Sequence, residues 1–251
     1  MNIFTSFRKK ETISRSLNRN IFSFLHGFGM MAGFNTSYYV MDYVANIIFL
    51  LNDNYGYMNK KSFSKPTYIL TIGSSLYITG DNDIWKTDES LNVLRKYSSQ
   101  SSAQYRVMYF NCTENEIYVS SQQYKYIQVF HLNLTLKYNI STSSYNSRSF
   151  SEYNNQLYVG TIQSIVLVIV NKEIIRKFTV CLGMDYVTSI VSDNFGLMAF
   201  SCYSNNSVKL YFSNGTFTSK SLTSSAGLNY ACFDSKGQFV LISQTQINIY
   251  N

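Results

Sequence analysis

The chain has 251 residues and a formal net charge of +7, with 45% hydrophobic, 16% aromatic and only 14% charged residues. Globular proteins carry roughly 25% charged residues, so this composition excludes intrinsic disorder and allows a large core. One Pro and 12 Gly exclude collagen and proline-rich linkers. The absence of any run of 18 apolar residues predicts no transmembrane helix. The abundance of Tyr, Phe, Ile, Val and Thr favours strands.

The first residues concentrate the positive charge. Residues 1–20 contain five basic residues and one acid, so they carry +4 of the total. The rest of the chain is therefore only weakly basic, which argues against a body that wraps nucleic acid. The following segment, IFSFLHGFGMMAGF at 21–34, has the length of a signal-peptide core but lacks a clean cleavage site. The compartment stays open.

A repeat of about 40 residues begins near residue 38. Short apolar-Tyr-Val runs recur, and their central residues are spaced 38, 41, 40, 40 and 42 residues apart; these are Tyr39, Tyr77, Tyr118, Tyr158, Met198 and Val240. So regular a spacing indicates a repeat architecture. We expect a single domain over 1–251, with a leader and closing strand in 1–37 and the repeats in 38–251.

Each repeat predicts four short antiparallel strands. The clearest one predicts strands at Val187–Ser192, Gly196–Cys202, Ser207–Phe212 and Thr216–Leu222. Turn sequences separate them, such as Asp193-Asn194-Phe195-Gly196 and Ser213-Asn214-Gly215, in which Gly accepts a positive φ. Four strands in about 40 residues is the size of a β-propeller blade. A row of separate hairpins is the alternative.

The last repeat lacks its fourth strand. It predicts strands at Asn229–Phe233, Gln238–Ser243 and Gln246–Tyr250. The segment KETISRSL at 10–17 is similar to the fourth-strand sequence TFTSKSL, so we predict that it pairs with Gln246–Tyr250 as the outermost strand. Residues 28–34 then supply the first strand of the first blade, and the total is six blades. A disordered basic leader beside an incomplete last blade is the alternative.

Metal chemistry has few candidate ligands. Neither the two His residues nor the cysteines show zinc-site spacing, so we expect no metal at His131 or at Cys112, Cys181, Cys202 and Cys232. The cysteines are interpreted as buried strand residues, although their even number allows disulfides. Among the carboxylates considered for calcium, Asp81-Asn82-Asp83 is the densest cluster, and we interpret it as a turn. The others are Asp42, Asp193 and Asp234.

One segment mixes cations with aromatic rings. It supplies the candidate binding face: Tyr105, Arg106, Tyr109, Tyr124, Lys125 and Tyr126. Such groups can stack on bases of single-stranded RNA, although tyrosines that pack between blades are the alternative. Six N-x-S/T sequons also occur, about as many as chance gives. They begin at Asn35, Asn111, Asn133, Asn139, Asn205 and Asn214.

The repeats resemble those of NHL-repeat, six-bladed β-propellers. The resemblance lies in Phe233-Asp234-Ser235-Lys236-Gly237-Gln238-Phe239-Val240 and Tyr126-Ile127-Gln128-Val129-Phe130, and it covers roughly residues 38–251. The usual Asp after the second strand and the Asn-x-Arg step are missing.

The expected fold is an all-β, six-bladed propeller. The expected function is a monomeric, non-catalytic binding or scaffold module with a protein partner, without cofactor or membrane span. A calcium-dependent, lactonase-like hydrolase and single-stranded RNA binding, which the NHL resemblance also implies, are the alternatives.

Overall fold

The computed structural model describes residues 9–14, 28–34, 37–52, 57–99, 103–181, 183, 185–192, 196–223, 228–233, 239–243 and 246–250. These residues form β-strands joined by short turns. In chain order the strands are β1 (Lys9–Ser14), β2 (Phe28–Phe34), β3 (Ser37–Asp42), β4 (Ile47–Asn52), β5 (Tyr57–Ser62), β6 (Tyr68–Ile72), β7 (Ser75–Thr79), β8 (Asp83–Thr87), β9 (Val93–Ser98), β10 (Tyr105–Asn111), β11 (Glu116–Ser121), β12 (Tyr126–His131), β13 (Leu136–Ser141), β14 (Ser147–Tyr153), β15 (Gln156–Thr161), β16 (Ile165–Val170), β17 (Glu173–Thr179), β18 (Val187–Ser192), β19 (Leu197–Cys202), β20 (Ser207–Phe212), β21 (Phe217–Thr223), β22 (Leu228–Phe233), β23 (Phe239–Ser243) and β24 (Gln246–Tyr250).

Every sheet has four antiparallel strands. Five sheets each use four consecutive strands: the first β2–β5, the second β6–β9, the third β10–β13, the fourth β14–β17 and the fifth β18–β21. The sixth has the order β1-β24-β23-β22. The predicted four-strand repeat is therefore present, and its strand bounds in the fifth sheet differ from the prediction by one residue at most.

The sixth sheet joins the two ends of the described chain. β1 pairs antiparallel with β24, with Glu11 opposite Ile249 and Ser14 opposite Gln246. The prediction placed this strand at 10–17, whereas the structure begins it at Lys9 and ends it at Ser14. Residues 15–17 lie outside the described residues. Likewise, β2 takes up residues 28–34 of the apolar segment, as predicted for the first strand of a blade.

The chain forms two compact units. One comprises Asn18–Asn146 and holds the first three sheets; the other comprises Met1–Leu17 with Ser147–Asn251 and holds the remaining three. Within each unit, neighbouring sheets pack face to face through apolar clusters. In the first unit Tyr77 and Ile84 of the second sheet pack with Met108 and Phe130 of the third. In the other unit Val166 and Val168 pack with Met198 and Phe200.

Burial falls from the second strand to the fourth in the sheets for which the structure describes it. The second strands β7, β11, β15 and β19 are buried almost throughout, whereas the fourth strands β5, β9 and β17 are largely exposed or half-exposed. A strand covered on both faces needs apolar residues at successive positions rather than in alternation. The run Ile165–Val170, IVLVIV, meets this need in β16.

The repeated tyrosines link neighbouring sheets. The hydroxyls of Tyr39, Tyr77 and Tyr158 donate to the backbone carbonyls of Glu89, Leu132 and Ser213, at 2.8, 2.8 and 3.0 Å. Each acceptor lies in the turn between the third and fourth strands of the following sheet. The three rings are themselves buried. Tyr118, at the same repeat position in the third sheet, instead donates to Glu114 in the β10–β11 turn of its own sheet. At the other three tyrosine positions the regular spacing corresponds to a repeated inter-sheet hydrogen bond.

Candidate functional site

The third sheet carries every residue of the predicted aromatic and cationic face. Tyr105, the first residue of β10, lies opposite Ser121, the last residue of β11. The β11–β12 turn and the start of β12 follow Ser121 directly, and Tyr126 lies opposite Ser141. Antiparallel pairing therefore places these segments at one end of the third sheet. Arg106, Tyr124, Lys125 and Tyr126 therefore lie at the same end of this sheet. We call these four residues the β11–β12 surface.

Two stacked tyrosines form the centre of the β11–β12 surface. The Tyr124 and Tyr126 rings lie 4.7 Å apart between centroids, with 9° between their planes. The Tyr124 hydroxyl is 3.0 Å from Ser99 Oγ, which ties the turn to the segment after β9. Both rings are half-buried. The pair is thus held in place while part of each ring remains accessible.

The two cations of the β11–β12 surface have uncharged partners. Arg106 Nε donates to Gln122 Oε1 at 2.9 Å, and Lys125 Nζ donates to Asn146 Oδ1. Amide oxygens orient these cations without neutralising them. The Tyr126 hydroxyl is protonated at neutral pH and can donate a hydrogen bond, and burial raises its pKa further above the ordinary value of 10.0. The surface therefore combines aromatic area, positive charge and hydroxyl donors.

Two predicted members of the face, Tyr105 and Tyr109, lie in β10 of the third sheet but outside the β11–β12 surface. Tyr105 is fully buried and donates to Gln128 Oε1 at 2.6 Å, so it belongs to the core and not to a surface. The alternation along β10 turns Tyr105 inward where it turns Arg106 outward. Tyr109 stacks on Tyr118 at 6.3 Å, towards the opposite end of the strands. The mixture of tyrosines and cations along β10 did not reveal which residues are buried or which end of the strand each one occupies.

The Asp81-Asn82-Asp83 cluster is used as a turn. Asp81 pairs with Lys65 at 2.6 Å, and Asp83 pairs with Lys96 at 3.1 Å. Asn82 Oδ1 accepts the Ala103 amide at 3.0 Å. Its side chains thus bind protein groups, as the turn interpretation predicts. Asp42 Oδ1 similarly accepts the Val44 and Ala45 amides, while Asp193 and Asp234 lie outside the described residues.

Sequence reasoning passed over one pair of carboxylates, Glu114 and Glu116. Glu116 is 1% exposed, forms an ion pair with Lys137 and accepts the Tyr138 hydroxyl at 2.8 Å. Glu114 accepts the Tyr118 hydroxyl at 3.4 Å. Both residues belong to Thr113-Glu114-Asn115-Glu116, whose polar sequence is typical of a turn, and a turn gives no reason to expect burial. The available signal was a second acid two residues after the first, at the start of a strand.

The two carboxylates have opposite protonation tendencies. A hydrogen bond with Glu116, together with burial, raises the pKa of Glu114. Burial opposes ionisation of Glu116 as well, but hydrogen bonds from Lys137 and Tyr138 outweigh it and lower the pKa of Glu116. Burial also raises the pKa of Tyr118 to about 12. Glu116 is therefore an ionised, internally neutralised group that stabilises this end of the third sheet.

The cysteines differ from their predicted environment in two ways. Cys112 is exposed in the β10–β11 turn, so the expectation of a buried strand residue is wrong there. Cys181 and Cys202 are buried but form a disulfide that links the segment after β17 to the end of β19. Cys232 lies in β22.

Asp185 lies beside the two bonded sulfurs. Its carboxylate accepts backbone amides of Tyr186 and Ser204 at 2.7 Å each. A disulfide has no thiolate to offer a metal, so this group is structural. His131 is exposed at the end of β12, the third strand of its sheet.

Comparison with solved structures shows the fold. The chain is similar to a streptogramin B lyase at a TM-score of 0.72 and 13% identity, covering 88% of this chain and 78% of that one. It is also similar to the Neurospora crassa Pan2 WD40 domain at a TM-score of 0.70 and 8% identity, covering 97% and 95%. The four-stranded antiparallel sheets and these neighbours together show an all-β protein of the β-propeller class.

Sequence comparisons add no closer assignment. No family model matches the chain, and no curated protein matches it. The NHL-repeat resemblance is therefore not confirmed beyond the propeller fold. Within the described ranges, no helix has the length and apolar character needed to cross a membrane.

Proposed function

We propose that this chain is a non-catalytic binding module that contacts a protein partner through the β11–β12 surface. The observation that carries the proposal is the half-exposed, stacked pair Tyr124 and Tyr126 at the end of the sheet that also holds Arg106 and Lys125, two cations whose own partners are uncharged amides. Tyrosine and arginine are enriched among the residues that dominate protein interfaces. Cations with neutral partners favour an acidic partner surface.

The alternative functions have less support from the geometry. A lactonase-like calcium site needs several carboxylates free to turn toward one ion, whereas Asp81 and Asp83 are paired with lysines. Single-stranded RNA binding needs ring faces on which bases stack. Tyr124 and Tyr126 already cover one face of each other. A protein partner can use the remaining ring edges and the hydroxyls.

The experiment compares charge reversals at two places. The full chain is tagged and used to recover partners by cross-linking from the cells that make it, beside Arg106→Glu/Lys125→Glu and a control, Lys60→Glu/Lys61→Glu on β5. We expect a protein partner to be lost with the first variant and kept with the second. Circular dichroism melts must show that both variants remain folded.

Two further measurements separate the alternatives. A gel shift with single-stranded RNA that weakens with salt, and that the Arg106→Glu/Lys125→Glu variant abolishes, would favour RNA binding over a protein partner. A calcium-dependent rise in melting temperature would favour the hydrolase, since ligand binding to the native state stabilises it. Equal partner recovery by both charge-reversal variants would overturn the assignment of the β11–β12 surface.

We also infer a monomeric, single-domain propeller of six blades, with repeats related to the NHL class. Support comes from the 38- to 42-residue spacing and from the six four-stranded sheets formed by the described residues. An electron-density map of the purified chain would count the blades directly. Light scattering would test the monomer. Five or seven blades, or a dimeric mass, would contradict the corresponding part of this inference.

A further inference from the structure

Three turns between third and fourth strands have the same conformation. The turn of the third sheet runs over five residues, from His131 to Thr135. The amide of the first residue, His131, donates to the carbonyl of the fifth, Thr135, at 3.0 Å, and the amide of the fourth, Leu134, donates to the carbonyl of His131 at 2.9 Å. The turns that begin at Asp88 and Phe212 repeat both bonds. In all three the fourth residue has a positive φ, of 61°, 69° and 84° at Leu134, Leu91 and Gly215.

Two of these turns contain a sequon at the same position. The third to fifth residues are Asn133-Leu134-Thr135 in the third sheet and Asn214-Gly215-Thr216 in the fifth. In the second sheet the corresponding residues are Ser90-Leu91-Asn92, which do not form a sequon. The second residue of each turn accepts the buried tyrosine of the preceding sheet, so the turn is anchored directly before the third residue.

The hydrogen bonds of the two asparagines fix the direction of their amide groups. Asn133 Oδ1 accepts the Thr135 amide at 3.0 Å, and Asn214 Oδ1 accepts the Thr216 amide at 2.9 Å. In an asparagine amide only the oxygen can accept a hydrogen bond from a backbone N–H. With Oδ1 turned toward the backbone, Nδ2 points away from the turn. Both asparagines are exposed. Each presents its nitrogen to solvent at the tip of a turn.

Three other described sequons lack this geometry. Asn111 is buried and Asn205 exposed, and their Nδ2 atoms donate to Tyr118 Oη at 3.3 Å and to Asp185 Oδ2 at 3.0 Å. Asn139 is exposed but lies within β13, paired with Gln128 in a regular ladder. The structure therefore separates the sequons, which all satisfy the same sequence pattern. Asn35 lies outside the described residues.

A second, independent feature indicates the compartment. The buried Cys181–Cys202 disulfide joins the segment after β17, in the fourth sheet, to the end of β19, in the fifth sheet. Disulfides form and persist in the secretory pathway and outside the cell, and they are rare in the cytosol. Asparagine is glycosylated from lipid-linked oligosaccharides in the secretory pathway, so a chain that forms this disulfide there also meets the sugar donor.

We propose that Asn133 and Asn214 are N-glycosylated. The Nδ2 atom of each forms a bond to the anomeric carbon of the first sugar of a lipid-linked diphosphate oligosaccharide. The bond from that carbon to the diphosphate oxygen breaks, the lipid diphosphate leaves with the electron pair, and one amide proton passes to a base of the transferase. The acceptors are two matching turns, so the glycans occupy equivalent places in the third and fifth sheets.

The test maps glycans on the full chain purified from the cells that make it. Peptide N-glycosidase in heavy-oxygen water converts each glycosylated Asn to labelled Asp, which mass spectrometry then locates. We expect label at Asn133 and Asn214 and none at Asn139. Asn133→Gln and Asn214→Gln should each remove one glycan from the intact mass, whereas Asn139→Gln should leave the mass pattern unchanged.

The second-sheet turn offers a gain-of-site control. Ser90→Asn combined with Asn92→Thr places a sequon at the same turn position, and we expect one additional glycan. Unlabelled Asn133 and Asn214 would overturn the proposal. Free thiols at Cys181 and Cys202 in the freshly isolated chain would contradict the disulfide from which the compartment is argued. Equal labelling of Asn139 would overturn the role of the turn geometry. None of these readouts depends on the β11–β12 surface.

Discussion

Lys137 and Glu116 show how a single ion pair stabilises one end of a sheet. Glu116 is buried, and Lys137, 40% exposed at its side chain, supplies the neutralising charge from β13. Tyr138 donates a second hydrogen bond to the same carboxylate. A buried carboxylate that loses its cation keeps the cost of its desolvation, so the pair matters more than an exposed ion pair.

At the scale of this residue pair, Lys137→Met should lower the free energy of unfolding by about 2 kcal/mol at neutral pH, less than for a fully buried pair because water reaches Lys137. The folded-state pKa of Glu116 is lowered, so its stabilisation exists above the unfolded value of 4.5 and disappears as the pH falls through the folded pKa. The difference between wild type and variant should therefore shrink in acid.

Urea unfolding at several pH values between neutral and acid measures this difference. The matched control is Lys60→Met, which removes an exposed lysine from β5 and should change stability by less than about 0.5 kcal/mol. A difference between wild type and Lys137→Met that stays constant across the pH range would contradict the ionic origin of the effect.

At the scale of elements, the repeated tyrosine connects one sheet to the next. Tyr77 belongs to β7 and reaches the turn after β12, while Tyr158 belongs to β15 and reaches the turn after β20. Met198 occupies the corresponding position in β19 and has no hydroxyl. Tyrosine meets two requirements at this position, because its apolar ring packs in the core and its hydroxyl donates to a turn carbonyl of the next sheet.

Tyr77→Phe and Tyr158→Phe should each lower stability by about 1 kcal/mol, because each keeps the buried ring and removes the hydroxyl that bonds the turn carbonyl. Tyr43→Phe is the matched control, since Tyr43 is 55% exposed. Chemical denaturation gives the free energies. Hydrogen exchange should show faster exchange at the Leu134 or Gly215 amide in the corresponding variant. Unchanged exchange at those turns would show that the tyrosines do not anchor them.

At the scale of the molecule, the sixth sheet depends on a strand from the other end of the chain. β1 supplies the outer partner of β24, across a sequence separation of more than 200 residues. Pairing of this kind covers a strand edge that would otherwise be available to other chains. Closing a long loop has an entropic cost, so we expect the docking of this strand to add little net stability beyond its own ladder and contacts, and its loss to leave the β24 edge unpaired.

Deletion of residues 1–17 should lower the free energy of unfolding by about 3 kcal/mol or more, since a whole strand ladder is lost. The truncated chain should also aggregate through the exposed β24 edge. Thermal melts and light scattering measure both effects. A synthetic peptide of residues 1–17, added back, should restore the melting temperature, whereas a peptide of the same composition in scrambled order should not. A truncated chain that melts like the full one and stays monomeric would contradict this role of β1.

The sequence by itself determined the repeat, the four-strand unit and the pairing of the first strand with the last. The repeat and the four-strand unit rest on local chemistry, namely apolar-Tyr-Val runs and turn residues such as Asn214-Gly215. The pairing of the two end strands rests instead on a comparison of distant segments, since one repeat lacks a strand and residues 10–17 resemble it. The same periodicity placed β18 and β20 at their observed bounds. It did not assign the NHL class.

Only the tertiary structure decided which of the similar residues are on the surface. Tyr105 and Tyr126 are indistinguishable by composition, yet packing of the second sheet on the third buries Tyr105 and leaves Tyr126 half-exposed. The Cys181–Cys202 pair, the neutralised Glu116 and the orientation of Asn133 also depend on contacts between distant segments. Burial and hydrogen-bond partners are properties of neighbours in space, which a residue pattern along one strand does not specify.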